Sequence, residues 1–301
     1  MRGKATMPLI GDRPDLNLRT VIYATDFSLC SQNAGLYAAC LAKYFSATLL
    51  VAHAFTLSQA AMEVEVDYKL VSQQRKDLEF LLSRKAFNLA SDSLEAIPIL
   101  LDGDPTEVLQ EIADSRAPSL IVLGTHGGGW IERELIGSVA EHILRSTRWP
   151  SLTVGPQVPH APAATFPFQR ILYATDFSRA AANASAYAVS FAEALGAKID
   201  ILNLIGGHAI EHPDQLADLR KNFYAGLDPL VPQQAREFCD PRTFVEVGNA
   251  HDQILEHIRE RSVDLLLLGV RKSSPLGIKM RPSSAFPLIV DAPCPVLTIT
   301  G

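Results

Sequence analysis

The chain has 301 residues, 48% of them hydrophobic, with 27 Lys and Arg against 33 Asp and Glu for a formal net charge of −6. That length suits about two domains with folded cores and excludes a disordered chain, and the acidic balance argues against a nucleic-acid or anionic-membrane surface, which needs a concentrated basic face. Cys30, Cys40, Cys239 and Cys294 form no CxxC pair and no metal spacing, so they read as small buried hydrophobes in a reducing compartment.

The opening MRGKATMPLIGDRPD holds no apolar run of signal-peptide length, and no apolar stretch of spanning length follows, which predicts a cytoplasmic protein with no membrane partner. TVIYAT then predicts a buried strand, and Ser28 to Phe45 a helix with apolar residues at Leu36, Ala39 and Cys40. ATLLVAHAF is a second strand, followed by a long helix within residues 60–90 whose charged stretch, SQQRKDLEFLLSRK, reads as the wet face. After strand LEAIPILL comes a helix at Asp104 to Ala113, with Asp104 as cap, Pro105 in its first turn and Glu107 completing a capping box. Strand SLIVLG, a glycine-rich loop, a helix from Ser138 and strand SLTV complete the series. Strands alternating with helices predict a doubly wound α/β domain, its parallel sheet covered on both faces.

The series then repeats. VIYATDFS at 21–28 returns as ILYATDFS at 171–178, an offset of 150 residues from Tyr23 to Tyr173. VLGTHGGG from Val122 aligns with LLGVRKSS from Leu267 at an offset of 145, so the second copy has lost about five residues between its Asn203, matched to His53, and its Gly248, matched to Gly103. The expected division is a first domain over 1–156, a proline-rich linker over 157–166 and a second domain over 167–301.

The segment GTHGGGWIERELIGS, residues 124–138, carries five glycines. A phosphate cradle, the oxyanion loop of an esterase and a plain surface turn all fit that composition. The esterase reading also needs a GxSxG nucleophile elbow, which the sequence lacks. Ligands of doubly wound sheets sit beyond the carboxyl ends of the strands, where Gly124 lies. Gly127 and Gly137 then allow close backbone approach, and Ser138 to Glu141 reads as a capping box opening a helix whose N-terminus attracts anions. The lysine of a GxxxxGK[ST] loop is missing, so binding is better supported than phosphoryl transfer. Thr25-Asp26 ends the first strand beside this loop, offering a carboxylate to sugar hydroxyls or base N–H groups; the competing role for Asp26 is to cap the helix near Ser28, which Ser28 itself can do. His126 is placed to donate to a phosphate or to hold the loop, and His53 reads as a satisfied core histidine. HAIEH at 208–212 matches a zinc pattern, but it follows a strand directly and runs into Pro213, which favours a solvated loop.

YATDFS in both halves, GTHG to IGS with its G-x-x-G-9x-G-S spacing, and APCPVL at 292–297 together resemble the universal stress protein family in its tandem form, over nearly the whole chain. The resemblance implies an adenine nucleotide alpha hydrolase-like fold in each half, a five-stranded parallel sheet of order 3-2-1-4-5, and ATP with Mg2+ as ligand. Carried onto this sequence, it puts Thr25 and Asp26 at the adenosine end, Ala54 at the adenine pocket and Gly124 near the ribose. Gly127, Gly137 and Ser138 fall at the phosphates, with His126 beside them and Val139 also among the nucleotide-binding residues, and Gly128 stands where the family often has Arg. In the second copy Lys272 and Pro282 replace two loop glycines, so one ATP per chain is expected, in the first half. The expected function is an ATP-binding regulatory protein of stress response with an unknown regulatory partner, and at most slow hydrolysis, since no catalytic base is evident. The alternative is a nucleotide-independent scaffold in which PSLTV and PVLTI pair the halves as a pseudo-dimer or join chains as a homodimer.

Overall fold

The computed structural model describes residues 16–56, 68–116, 118–125, 136–160, 166–206, 213–227, 236–271 and 285–301. They form two compact units, one built on Asn17–Val154 and one on Thr165–Gly301. Among the described residues no helix is long and apolar enough to cross a membrane.

The first unit runs β1 (Thr20–Ala24), α1 (Leu29–Tyr44), β2 (Thr48–Phe55), α2 (Tyr68–Leu89), β3 (Ala96–Asp102), α3 (Pro105–Ser115), β4 (Ser119–Gly124), α4 (Ser138–Ser146) and β5 (Ser151–Val154). Its strands pair in parallel in the order β3-β2-β1-β4-β5, the order that the sequence resemblance implies. Central strands buried on both faces need continuous apolar runs, which is why TVIYA and SLIVLG show no alternation. On one face Ile22, Leu50, Ala52, Ile121 and Leu123 pack against Leu109 and Ile112 of α3 and Ala140 and Ile143 of α4. Asp104 caps α3 as expected, its carboxylate accepting from the amides of Thr106 and Glu107.

The second unit repeats the pattern: β6 (Arg170–Thr175), α5 (Arg179–Leu195), β7 (Lys198–Ile205), α6 (Pro213–Leu227), the short α7 (Arg236–Cys239), β8 (Arg242–Val247), α8 (Ala250–Arg261), β9 (Leu265–Val270), α9 (Ala285–Asp291) and β10 (Val296–Thr300). Its order is β8-β7-β6-β9-β10, again 3-2-1-4-5 within the copy. Where the first copy has Leu50, this one buries Asp200 completely. Arg261 meets its carboxylate at 2.6 Å and lies over the Phe244 ring at 4.6 Å, Arg170 approaches to 3.4 Å, and His257 Nε2 stands at 3.6 Å. Burial pushes the Asp200 carboxyl up, but the neighbouring His257, Arg261 and Arg170 outweigh it and hold the group below its ordinary value.

Three expectations need correction. Helix α4 starts with Ser138 as its first helical residue and Gly137 as its cap, with no side-chain cap hydrogen bond, so the capping box is not formed. All four cysteines are free, but only Cys239 and Cys294 are buried; Cys30 and Cys40 are half-buried because α1 turns that side partly outward. Helix α2 is wet as expected in its charged stretch, yet it also exposes Phe80 and Phe87, which the charge pattern concealed. The HAIEH stretch lies outside the described residues.

Gly124 and Gly269 share a packing role that their sequence context hides. A Cβ on Gly124 would stand 2.9 Å from Ser31 N and 3.0 Å from Cys30 C, and one on Gly269 would stand 2.4 Å from the carbonyl carbon and oxygen of Ala180. Both glycines let the first turn of a helix, α1 or α5, press against the end of a strand. Gly269→Ala is therefore expected to destabilise the chain by about 1–3 kcal/mol, and Gly124→Ala by less, as measured by urea unfolding.

Candidate functional site

Strand β1 delivers Thr25 and Asp26 to the carboxyl edge of the sheet. The Thr25 amide donates to Ala52 O at 2.9 Å, extending the ladder by one residue, and Phe27 then takes a left-handed backbone at φ 65° that turns the chain into α1. Ser28 caps that helix by accepting from Ser31 N. Asp26 is thus spared the cap. Its Oδ1 accepts from Ser28 N at 3.0 Å, which orients an otherwise exposed carboxylate.

Beneath Asp26 lies a closed hydroxyl network. Tyr23 OH donates to Ser31 O at 2.6 Å, Thr25 Oγ1 accepts from Phe27 N at 3.1 Å, and Thr25 Oγ1 and Ser31 Oγ sit 3.1 Å apart. Burial pushes the Tyr23 phenol above its ordinary value, so it stays a neutral donor. His53 Nδ1 meets Thr25 O at 2.7 Å, and since a carbonyl only accepts, that nitrogen carries the proton. The ring also leans on Phe27, with centroids 4.8 Å apart. His53 is thus a satisfied structural histidine, half-buried at the rim of the site.

Across from β1, the neighbouring strand β4 ends at Gly124, and Thr125 O accepts from Gly137 N at 2.7 Å, so the loop returns to the point where it left. Gly137 has φ −62° and ψ 145°, which any L-residue adopts. Its glycine is not demanded by backbone conformation. The first-turn amides of Ser138, Val139 and Ala140 have no acceptor within α4, and the cap residue, Gly137, has no side chain to offer them.

These pieces enclose a cavity of about 230 Å³. Ala52, Ala54, Leu109 and Ile143 form an apolar floor, while Asp26, Gly137 and Ser138 stand on its polar side. Thr25, Gly124 and Val139 also line it, so seven of the nine residues anticipated from sequence converge there. His126 and Gly127 lie outside the described residues. Sequence reasoning missed Ser31, Ala52, Leu109 and Ile143; the signal available for Ala52 was its change to Leu202 in the second copy.

The second unit carries the same frame differently filled. Asp176 Oδ1 accepts from Ser178 N, and Asn203 replaces His53, its Nδ2 donating to Thr175 O at 2.8 Å. Leu202 and Leu204 stand where Ala52 and Ala54 make the floor, and Arg271 reaches Asp176 at 3.7 Å.

The universal stress protein family matches this sequence twice, over residues 17–155 and again over 167–300. The chain belongs to that family. Universal stress protein MJ0531 from Methanocaldococcus jannaschii is 28% identical over 138 residues, which cover 45% of this chain and 81% of that protein. A universal stress protein from Archaeoglobus fulgidus DSM 4304 shares the fold with a TM-score of 0.71 at 21% identity, covering 94% of this chain and 98% of its own. A functionally unknown protein from Pseudomonas aeruginosa PAO1 follows with a TM-score of 0.57 at 12% identity, covering 94% and 92%. As a tandem universal stress protein, the chain joins a family of stress-response proteins.

Proposed function

We propose that this universal stress protein binds one ATP per chain in its first unit, with Mg2+ accompanying the triphosphate, and that occupancy regulates a partner during stress. The observation that carries the reading is the cavity itself: an apolar floor suited to a base, the oriented Asp26 carboxylate beside it, and the N-terminus of α4, with glycine as its cap residue, opening at the same mouth. A glycine at 137 that the backbone conformation does not require is the residue to expect where phosphate oxygens come close to the chain. Among the described residues no cluster of His, Cys, Asp or Glu suits a metal ion, so Mg2+ is assigned to the nucleotide. Leu202 and Leu204 support an ATP-free second unit.

The test is to release and identify small molecules from the denatured protein, then to titrate the stripped chain with ATP and Mg2+. Close to one ATP per chain is expected, with melting temperature rising as ligand exceeds its dissociation constant. A folded chain whose melting temperature ignores millimolar Mg-ATP removes the reading.

A further inference from the structure

We infer that His251 is a proton-dependent latch joining the first turn of α8 to the last residue of α9, so that the second unit holds α9 more firmly in mildly acidic than in alkaline solution. The observation is a pair of acceptors at one ring. His251 Nε2 stands 2.8 Å from Asp291 Oδ2, and Nδ1 stands 3.2 Å from Asp252 Oδ1. An ionised carboxylate only accepts, and a neutral imidazole carries a single N–H. Both hydrogen bonds therefore exist together only when the ring is an imidazolium.

The surroundings decide whether that charge is tolerated. Asn249 caps α8 by accepting from the His251 amide, which puts the ring on the first turn, where a helix N-terminus disfavours a cation. Helix α9 packs against α8 and brings Asp291 to the ring. Strand β7 also packs under α8 and carries Asp200, but that carboxylate faces His257 and Arg261 further along the helix. Partial burial pulls the His251 pKa down, while hydrogen bonds to Asp252 and Asp291, with the charge of both, outweigh it and hold the ring above the ordinary histidine value.

Because the folded-state value is raised, the stabilisation is fully present below the ordinary value of 6.5 and is lost as pH rises through the folded one. On losing its proton the ring keeps one donor, and one of the two carboxylates is left without it. Helices α4 and α9 hold the same place in the two copies, with Ser146 matched to Asp291 and Thr106 to His251. Neither Thr106 nor Ser146 titrates, and the Ser146 hydroxyl donates to His142 O. Acidity thereby acts through this pair of positions on the second copy and not on the first.

The experiment is amide hydrogen exchange of the full chain, read by mass spectrometry at about pH 5.5 and about pH 8.5 and corrected for the intrinsic rate, on either side of the histidine range. Wild type, His251→Gln and Asp291→Asn are compared. In wild type, protection over Ala285–Asp291 is expected to be about two- to fivefold higher at the lower pH, the worth of an exposed ion pair. Both substitutions keep a polar side chain and should erase that difference, and Asp291→Asn should also lower the midpoint of the His251 ring titration followed by NMR. Equal wild-type protection at both pH values overturns the inference. So does a ring midpoint unmoved by Asp291→Asn. A pH difference that survives in both variants, or that α4 shares equally, overturns it as well, since the titrating group then lies elsewhere.

Discussion

Ala54→Leu is expected to abolish nucleotide binding in a chain that still folds. Ala54 is half-buried at the carboxyl end of β2, and its methyl forms part of the floor of a cavity of only about 230 Å³. A leucine there places three more carbon atoms where the proposed nucleotide would seat its base. The fold tolerates the change, because the second copy carries Leu204 at the matching position of β7, also half-buried, on an intact strand. The loss is expected to exceed about a hundredfold in affinity, roughly the 2.7 kcal/mol of a strained core insertion. Calorimetry with Mg-ATP measures it, and an unchanged circular dichroism melt of the unliganded variant separates a filled pocket from a broken fold. Binding that persists at wild-type strength would move the ligand off this floor.

Asp200→Ala is expected to be the most damaging single change in the second unit, costing about 3–5 kcal/mol in urea unfolding. The carboxylate is fully buried, and removing it leaves Arg261 and Arg170 facing each other across a desolvated space beside His257. The loss reflects stranded charge more than the net worth of the pair, so Asp200→Leu combined with Arg261→Met should recover much of the stability. The pH dependence has a definite sign. Because the folded-state pKa of Asp200 is depressed, its contribution is fully present above the ordinary carboxylate value near 3.9 and is lost as pH falls through the depressed one. Wild type should therefore lose stability in acid more steeply than Asp200→Ala over that window.

Much of the architecture was legible in the residues. Continuous apolar runs such as SLIVLG marked strands buried on both faces, and the Asp104-Pro105 pair marked the start of α3 within one residue. The start of α4 at Ser138 was legible, but its cap was misplaced by one position because Ser138 and Glu141 have capping-box spacing while the backbone makes Gly137 the cap. Spacing along the chain cannot tell which residue first adopts helical dihedrals when a glycine precedes it. Asp200 gave no signal in KIDILNLI, since its partners Arg170 and Arg261 lie 30 and 61 residues away.

The sequence by itself determined the alternation of strands and helices, the duplication and the family, because hydrophobic periodicity and motif spacing are local properties that each copy repeats. Only the tertiary structure decided what each site residue does. It gave Gly124 to the packing of α1, committed the Thr25 hydroxyl to Tyr23, Phe27 and Ser31, tied His53 to a carbonyl 28 residues away, and gathered Ala52, Ala54, Leu109 and Ile143 into one floor. Those roles depend on strand register and on the approach of helices distant in sequence, and such distances are set when the sheet is assembled.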